Sequence, residues 1–196
     1  MRMVLIGLVS LAFPATAAAH PQPHFTCNMA ASSNGWCQGC RVGYVATVEI
    51  RSAALFEALD ANGHDLDDPS AITCVACREV WATDGYCSAC RVGWVDGHGY
   101  HTKLTYLLAR GEVVDPAKIK CGVRAWCDAC GYGVVGNVAF RDKKDYMATK
   151  KQFELLLRAV KESERCEMCS MLLFYGGVCR DCGITYTNGV ARSSER

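Results

Sequence analysis

The chain has almost no net charge, and the lack of a basic surplus argues against one class of partner. Lys and Arg number 21 against 20 Asp and Glu in 196 residues, so the formal net charge is +1. A protein that neutralises a row of phosphates needs a basic surplus or a basic stripe. The short basic pairs at residues 143–144 and 150–151 lie among acidic and apolar residues, which is typical of a solvated face. We therefore expect no nucleic-acid partner.

Beyond residue 19 the chain also lacks an apolar run long enough to cross a membrane. Residues 1–19 combine Arg2, an apolar run over residues 3–13, Pro14 and an alanine-rich end. This pattern is typical of a secretory signal peptide with an Ala-x-Ala-like cleavage site. It predicts an exported protein that begins at His20, resides in the periplasm or outside the cell, and has no transmembrane segment.

What the chain does contain is cysteine, 14 residues of it, within an internal repeat. A Cys-x2-Cys pair preceded by a large apolar residue recurs four times, at Cys37/Cys40, Cys87/Cys90, Cys127/Cys130 and Cys179/Cys182. A motif that recurs at intervals along the chain predicts tandem modules. After the signal peptide we expect four of them, over residues 20–65, 66–113, 114–164 and 165–196.

A second cysteine element precedes each copy, and its spacing is the most informative feature of the sequence. In modules two and four it is another Cys-x2-Cys pair, separated by nine residues from the later pair. Module one keeps this spacing with His24 in the first position, whereas module three has only Cys121, with five residues between it and Cys127. The predicted metal ligands are His24, Cys27, Cys37, Cys40, Cys74, Cys77, Cys87, Cys90, Cys121, Cys127, Cys130, Cys166, Cys169, Cys179 and Cys182.

Paired Cys-x2-Cys turns are suited to tetrahedral zinc, because two such turns supply four sulfurs at about 2.3 Å from one ion. Gly131 and Gly183 follow the later pairs, where a tight turn would fold backbone N–H groups around the sulfurs. The arrangement resembles zinc ribbons of the double-zinc-ribbon and rubredoxin-knuckle type. The resemblance covers residues 74–95 and 166–184 well, 24–45 with one ligand changed, and 121–135 in part. It implies hairpin modules that bind zinc, and no particular activity.

Disulfides are the alternative, because an exported chain meets an oxidising environment. The 14 cysteines permit seven bridges if Cys27 and Cys121 join the two modules that hold an odd number. Zinc accounts better for the histidine in a cysteine position, since zinc accepts imidazole and a disulfide cannot. We therefore favour three or four zinc ions, with disulfides or rubredoxin-like iron as alternatives.

Helices are expected between the cysteine elements. Ser52 and Thr102 are predicted N-caps of short helices that stop at Gly63 and Gly111, and Thr149 with Gln152 has the form of a capping box that starts a third. The third helix is expected to bury one face, formed by Phe153, Leu156, Leu157 and Val160. Residues 44–50 and 133–140 are rich enough in apolar and β-branched residues to form strands. The predicted fold class is small metal-stabilised α+β repeats, namely four zinc-ribbon-like β-hairpin modules linked by short α-helices.

Enzymatic and redox chemistry are not favoured by these motifs. None of the six Cys-x2-Cys pairs is followed by histidine, which excludes covalent c-type haem. A thioredoxin-like pair needs a helix that begins at the motif, and these pairs are expected to precede strands or turns. Three cysteines with an open fourth position are the pattern of a catalytic zinc in module three. No general acid or base accompanies it, so we expect a degenerate site instead, which is closed by Asp115, His98 or His101 or has lost its metal.

We therefore predict a non-enzymatic structural or protein-interaction protein of the cell envelope, whose partner is another protein. Metal buffering or delivery of zinc or copper is the first alternative, since His20 could chelate copper through its amine and ring. A thiol redox protein is the second. The aromatic residues of the repeat are candidates for a contact surface or for hairpin packing, namely Trp36, Tyr86, Trp94 and Trp126.

Overall fold

A computed structural model of the chain describes residues 25–66, 68–115, 118–119 and 125–193. The predicted signal peptide, His20, His24 and Cys121 lie outside these residues. The described residues form a mixed α and β structure of short elements. Its helices are α1 (Phe25–Ser32), α2 (Ala53–Leu59), α3 (Val75–Trp81), α4 (Lys103–Ala109), α5 (Lys143–Ser163) and α6 (Glu167–Tyr175). No helix among them is long and apolar enough to span a bilayer.

The strands are short and pair antiparallel in several small sheets. They are β1 (Trp36–Cys37), β2 (Val42–Val45), β3 (Val48–Ile50), β4 (His64–Asp65), β5 (Tyr86–Cys87), β6 (Val92–Val95), β7 (His98–Tyr100), β8 (Glu112–Val113), β9 (Gly133–Val135), β10 (Val138–Phe140), β11 (Gly177–Cys179), β12 (Ile184–Thr187) and β13 (Val190–Ser193). The strand orders are β1-β2-β3, β4-β7-β6-β5, β8-β10-β9 and β11-β12-β13.

Two of the three expected helices form where their caps predict them. The Ser52 hydroxyl accepts from the Leu55 N–H at 3.1 Å before α2, and the Thr102 hydroxyl accepts from the Thr105 N–H at 3.1 Å before α4. Each bond satisfies one of the backbone donors that a helix start leaves unpaired. The sequence prediction of these two starts is confirmed.

The start predicted for the third helix is wrong. Helix α5 begins after Asp142, whose carboxylate accepts from the Asp145 N–H at 2.8 Å. Thr149 lies inside the helix, fully buried, and its hydroxyl donates to the Asp145 carbonyl at 2.7 Å. The expected apolar face is also only partly buried, because Leu156 is buried whereas Leu157 is 49% exposed.

The predicted strand segments are hairpins rather than single strands. Residues 44–50 bend at Ala46 and Thr47, both with positive φ, and residues 133–140 bend at Gly136. The Asn34 side-chain oxygen accepts from the Ala46 N–H at 2.8 Å, which stabilises the first of these turns. Two-residue turns of this hand match the twist of the strands that they join.

Helices also replace half of each expected cysteine hairpin. The segment between the earlier and later cysteine pairs is helical in α3 and α6, and α1 occupies the corresponding place before Cys37. These segments contain neither glycine nor proline within the helix, so nothing in them opposes helix formation. Where β-hairpin modules one, two and four were predicted, the described residues therefore form helix-plus-hairpin segments, within a mixed α and β structure of several small antiparallel sheets.

One large core joins elements that lie far apart in the sequence. It contains residues of the first hairpin such as Ile50, of α4 such as Leu104, of α5 such as Tyr146, and Leu173 of α6. Helix α6 packs against both α5 and α2. The Ser52 hydroxyl and the Glu167 carboxylate are hydrogen-bonded at 2.7 Å, which ties the cap of α2 to the start of α6. The last cysteine segment therefore packs on the first helix as well as on its sequence neighbour.

Candidate metal centres

The first candidate centre is a tetrad formed by Cys74, Cys77, Cys87 and Cys90, called here the Cys74 tetrad. Cys74 is the N-cap of α3 and Cys77 lies in the first turn of that helix. Cys87 ends β5, and Cys90 lies in the turn that leads to β6. All four sulfurs lie within 4.8 Å of one another. A helix start and a hairpin turn thus present two sulfurs each to one point.

The second centre, the Cys166 tetrad, repeats this construction with Cys166, Cys169, Cys179 and Cys182. Cys166 is the N-cap of α6, and its sulfur accepts a bond from the Cys169 N–H at 3.4 Å. The sulfurs again lie within 4.8 Å of one another, and those of Cys166 and Cys179 are 3.7 Å apart. The inner pair, Cys169 and Cys179, is fully buried, whereas Cys182 is exposed.

These distances distinguish metal binding from disulfides. Four sulfurs that surround zinc at about 2.3 Å are about 3.8 Å apart, whereas disulfide sulfurs are separated by about 2.0 Å. The cysteines of both tetrads are free thiols. The tetrads therefore have the spacing of a tetrahedral thiolate site.

The thiols of a tetrad differ in acidity. In the Cys74 tetrad, the backbone N–H of Cys77 bonds the Cys74 sulfur and lowers its pKa to about 7. Burial raises the pKa of the Cys77 thiol, as it does for Cys169 in the other tetrad. Several thiolates cannot lie this close without a cation, so a metal ion must displace protons when it binds.

The third centre is the Cys27 triad, made of Cys27, Cys37 and Cys40. The Cys27 sulfur lies 3.4 Å from that of Cys37 and 3.1 Å from that of Cys40. A hydrogen bond with the Thr26 hydroxyl lowers the pKa of Cys37 to about 6. The predicted fourth ligand, His24, lies outside the described residues, one residue before α1 begins.

The turn after each later cysteine pair has the same backbone conformation in all four segments. The residue that follows the second cysteine has a positive φ, namely Arg41 at 54°, Arg91 at 59°, Gly131 at 68° and Gly183 at 66°. The left-handed conformation costs L-residues about 1 kcal/mol or more, which explains glycine at two of the four positions. It turns the Gly183 N–H onto the Cys179 carbonyl at 2.8 Å.

Module three departs from the predicted metal site. Cys127 and Cys130 are disulfide-bonded, so neither sulfur is a thiolate that could ligate zinc in this state. Cys121 lies outside the described residues. Of the residues expected to complete this site, Asp115 contacts Lys118 at 3.5 Å and His98 contacts Asp65 at 2.9 Å. The His101 ring contacts the His64 ring instead, with the two centroids 4.8 Å apart.

The aromatic residues of the repeat pack into the fold. Trp94 is 9% exposed. The other three each contact one ring from the following helix, with ring centroids 5.3 Å apart for Trp36 and Phe56, 5.4 Å for Tyr86 and Tyr106, and 5.7 Å for Trp126 and Tyr146. Hairpin packing therefore accounts for these residues.

The expectation that no helix begins at a cysteine pair is wrong for two pairs. Cys74 and Cys166 both cap helices, and good helix formers such as Glu167, Met168 and Leu172 follow Cys166. The sequence reasoning also missed a cluster of Asp60, His64 and His101, whose potential ligand atoms lie within 4.8 Å of one another. Its one sequence signal is the four-residue spacing between Asp60 and His64.

Cysteine clusters with metal-site geometry are the functional feature of this chain. No family model, curated protein or solved structure matches the chain, so the geometry of these clusters carries the functional argument.

Proposed function

We propose that this chain is an exported zinc protein built from four related modules, in which the metal is structural and the folded array serves a protein-interaction role. The observation that carries this proposal is the position of the sulfurs in the Cys74 tetrad. Cys77 and Cys87 form a small separate core together with Ile72 and Trp94. With so few apolar residues, a bound ion is needed to hold this segment.

Zinc fits the donor set better than the alternatives. Four thiolates, or three thiolates with His24, are common structural zinc ligands. The free thiols of both tetrads argue against a fully disulfide-bonded protein. Export through residues 1–19 remains part of the proposal.

The equivalence of the first three modules is supported by a contact with constant spacing. The aromatic residue before each later cysteine pair contacts the ring twenty positions further on, as in Trp36 and Phe56. A glycine lies against the same ring each time, because a Cβ on Gly43, Gly93 or Gly133 would meet it at 2.5 Å or less. Shared packing at shared spacing is what descent from one repeated unit predicts.

A role in binding another protein is supported by apolar side chains beside the tetrads. Val75 follows Cys74 and is 61% exposed, and Val178 precedes Cys179 and is 59% exposed. Met168, between the first two cysteines of the Cys166 tetrad, is also exposed. Exposed apolar residues that α3, α6 and β11 hold beside the cysteine sulfurs suit a contact surface.

Metal analysis with thiol counting on the purified, desalted full chain tests this function. We expect about three zinc ions per chain, one for each thiol cluster. Cys77→Ser should remove one ion, whereas the control Cys130→Ser, outside the three clusters, should remove none. A protein without metal whose cluster cysteines are oxidised would contradict the proposal.

Metal delivery is a second candidate, favoured by the exposure of Cys90 and Cys182. Each tetrad has one exposed sulfur at its edge, which offers an entry point for a competing ligand. A delivery protein should release zinc to a mild chelator and stay folded. A structural zinc protein should hold its metal and unfold locally once a strong chelator removes it. Circular dichroism recorded during chelation distinguishes the two.

A further inference from the structure

The three histidines in the described part of the chain lie together where β4 meets β7. Their arrangement follows from the strand register, in which His64 lies opposite Gly99 and Asp65 opposite His98. Successive side chains of a strand alternate between faces, so His101 lies on the same face as Gly99 and diagonally across from His64. Asp65 and His98 occupy the other face and contact each other at 2.9 Å.

The face that carries His64 and His101 also receives Asp60 from the end of α2. The two imidazole rings have centroids 4.8 Å apart, and the Asp60 Oδ2 atom lies 3.3 Å from His64 Nε2. One ligand atom from each of the three residues falls within 4.8 Å of the others. This is the separation expected of ligands that share one ion.

Asp60 has an unusual environment for a carboxylate near the surface. Its Oδ2 atom is shielded from solvent and faces His64 Nε2 at 3.3 Å, but it accepts no hydrogen bond from the described residues. A shielded carboxylate oxygen costs free energy unless a donor or a cation faces it, and a metal ion held between Asp60 and His64 would supply that cation. The neighbouring His64 is 60% exposed, so the cluster can be reached from solvent.

Close packing below the cluster fixes the positions of its ligands. Gly63, at φ 70°, lies against Tyr100, where an added Cβ would meet the ring at 2.9 Å. Gly99 lies against Trp94, where a Cβ would come within 3.0 Å of the ring. Gly63 allows the start of β4 to approach β7, which brings His64 towards His101, whereas Gly99 leaves room for the Trp94 ring of β6.

We propose that Asp60, His64 and His101 form a binding site for a divalent first-row transition ion, Zn²⁺ in the first instance. Two imidazoles and one carboxylate are good ligands for such ions and leave coordination positions to water. The donors are nitrogen and oxygen, so this site differs in kind from the thiolate clusters. Its exposure and three ligands make it the weaker and faster-exchanging site.

Equilibrium dialysis of the full chain against micromolar zinc tests the site. We expect the wild-type chain to bind one more zinc than the His101→Ala variant. His98→Ala is the matched control, since it removes a histidine from the opposite face of the same hairpin, and its zinc count should equal that of the wild type. Equal counts for wild type and His101→Ala would overturn the proposal.

Cadmium-113 NMR gives a second measurement, because thiolate-bound cadmium is far more deshielded than cadmium bound by nitrogen and oxygen. We expect one resonance in the nitrogen and oxygen range, lost in His101→Ala and in Asp60→Asn and kept in His98→Ala. Asp60 has a left-handed backbone conformation, with φ 46°. Asp60→Asn preserves the size of the side chain, and asparagine tolerates this conformation. Absence of that resonance in the wild type would overturn the site. The thiolate resonances report separately on the proposed zinc clusters.

Discussion

Thiols that share one cluster differ widely in acidity. In the Cys27 triad, the hydrogen bond with Thr26 lowers the pKa of Cys37 to about 6, whereas the hydrogen bond with Cys27 raises the pKa of Cys40 to about 12. The same division occurs in the Cys74 tetrad, where the pKa of Cys74 is lowered and the pKa of Cys77 is raised. At neutral pH the metal-free Cys27 triad and Cys74 tetrad therefore hold both thiolates and thiols.

Zinc binding should consequently release protons and strengthen as the pH rises through neutrality. Thiols with raised pKa values, such as Cys40, are protonated in the metal-free protein near pH 7 and must ionise to ligate zinc. Acid returns protons to the sulfurs and weakens binding. Calorimetric titration of zinc in two buffers with different ionisation heats measures the number of protons released. Proton release of zero, with an affinity independent of pH, would contradict thiolate ligation.

The cap residue Ser52 should contribute to stability through two hydrogen bonds. Its hydroxyl accepts from the Leu55 N–H and bonds to Glu167 of α6, and the residue is buried. Ser52→Ala should reduce the free energy of unfolding by about 1–2 kcal/mol, since the cap bond to Leu55 and the bond to Glu167 are both lost. Ser70→Ala, which loses only an exposed bond to Asp68, is the control and should change it little. Urea unfolding measures both variants.

Among the elements, the contact between each hairpin and its following helix depends on a glycine. In β6, Gly93 lies directly under the ring of Tyr106 from α4, where an added Cβ would come within 2.2 Å of ring atoms. That separation is much shorter than any van der Waals contact, so either the ring or the strand must move. The helix can lie flat on the hairpin only because the strand has no side chain at this position.

Gly93→Ala should therefore destabilise the protein by about 1–3 kcal/mol through overpacking. A double-mutant cycle with Tyr106→Ala identifies the cause. If the Tyr106 ring is the obstacle, Gly93→Ala should reduce the free energy of unfolding much less in the Tyr106→Ala background than in the wild type. Thermal unfolding of the four proteins measures the coupling. An equal cost in both backgrounds would assign the effect to the strand and contradict the contact explanation.

The elements differ in how far the sequence predicts them. Helices α2 and α4 follow from Ser52 and Thr102 because a cap is a local signal. The start of α5 was misplaced because Thr149 and Gln152 form a capping-box pattern inside a helix, where the threonine bonds Asp145 instead. The tetrads follow from cysteine spacing. The cluster at His64 depends on the register of β4 on β7, which tertiary packing sets and no local pattern reveals.

In the whole molecule, the two tetrads have the same cysteine spacing and different surroundings. Cys169 and Cys179 belong to the large core shared by α2, α4 and α5, where Leu156 and Tyr146 are also buried. Cys77 and Cys87 belong to a small core of their own. The metal ions that we propose for the two tetrads would therefore stabilise unequal parts of the molecule, and their loss should have unequal consequences.

Substitution of one inner cysteine in each tetrad tests this difference. Structural zinc contributes about 10 kcal/mol or more to the folding of small metal modules, so its loss should unfold whatever depends on it alone. For Cys77→Ser we expect faster amide exchange over residues 72–95, with α5 still protected. For Cys169→Ser we expect the loss of amide protection to extend to α2 and α5, because the serine disrupts the shared core. Hydrogen exchange with mass spectrometry resolves these segments. If both variants lost protection over the same residues, the molecule would be one cooperative unit in which the two ions are equivalent, and the division into two cores would have no energetic meaning.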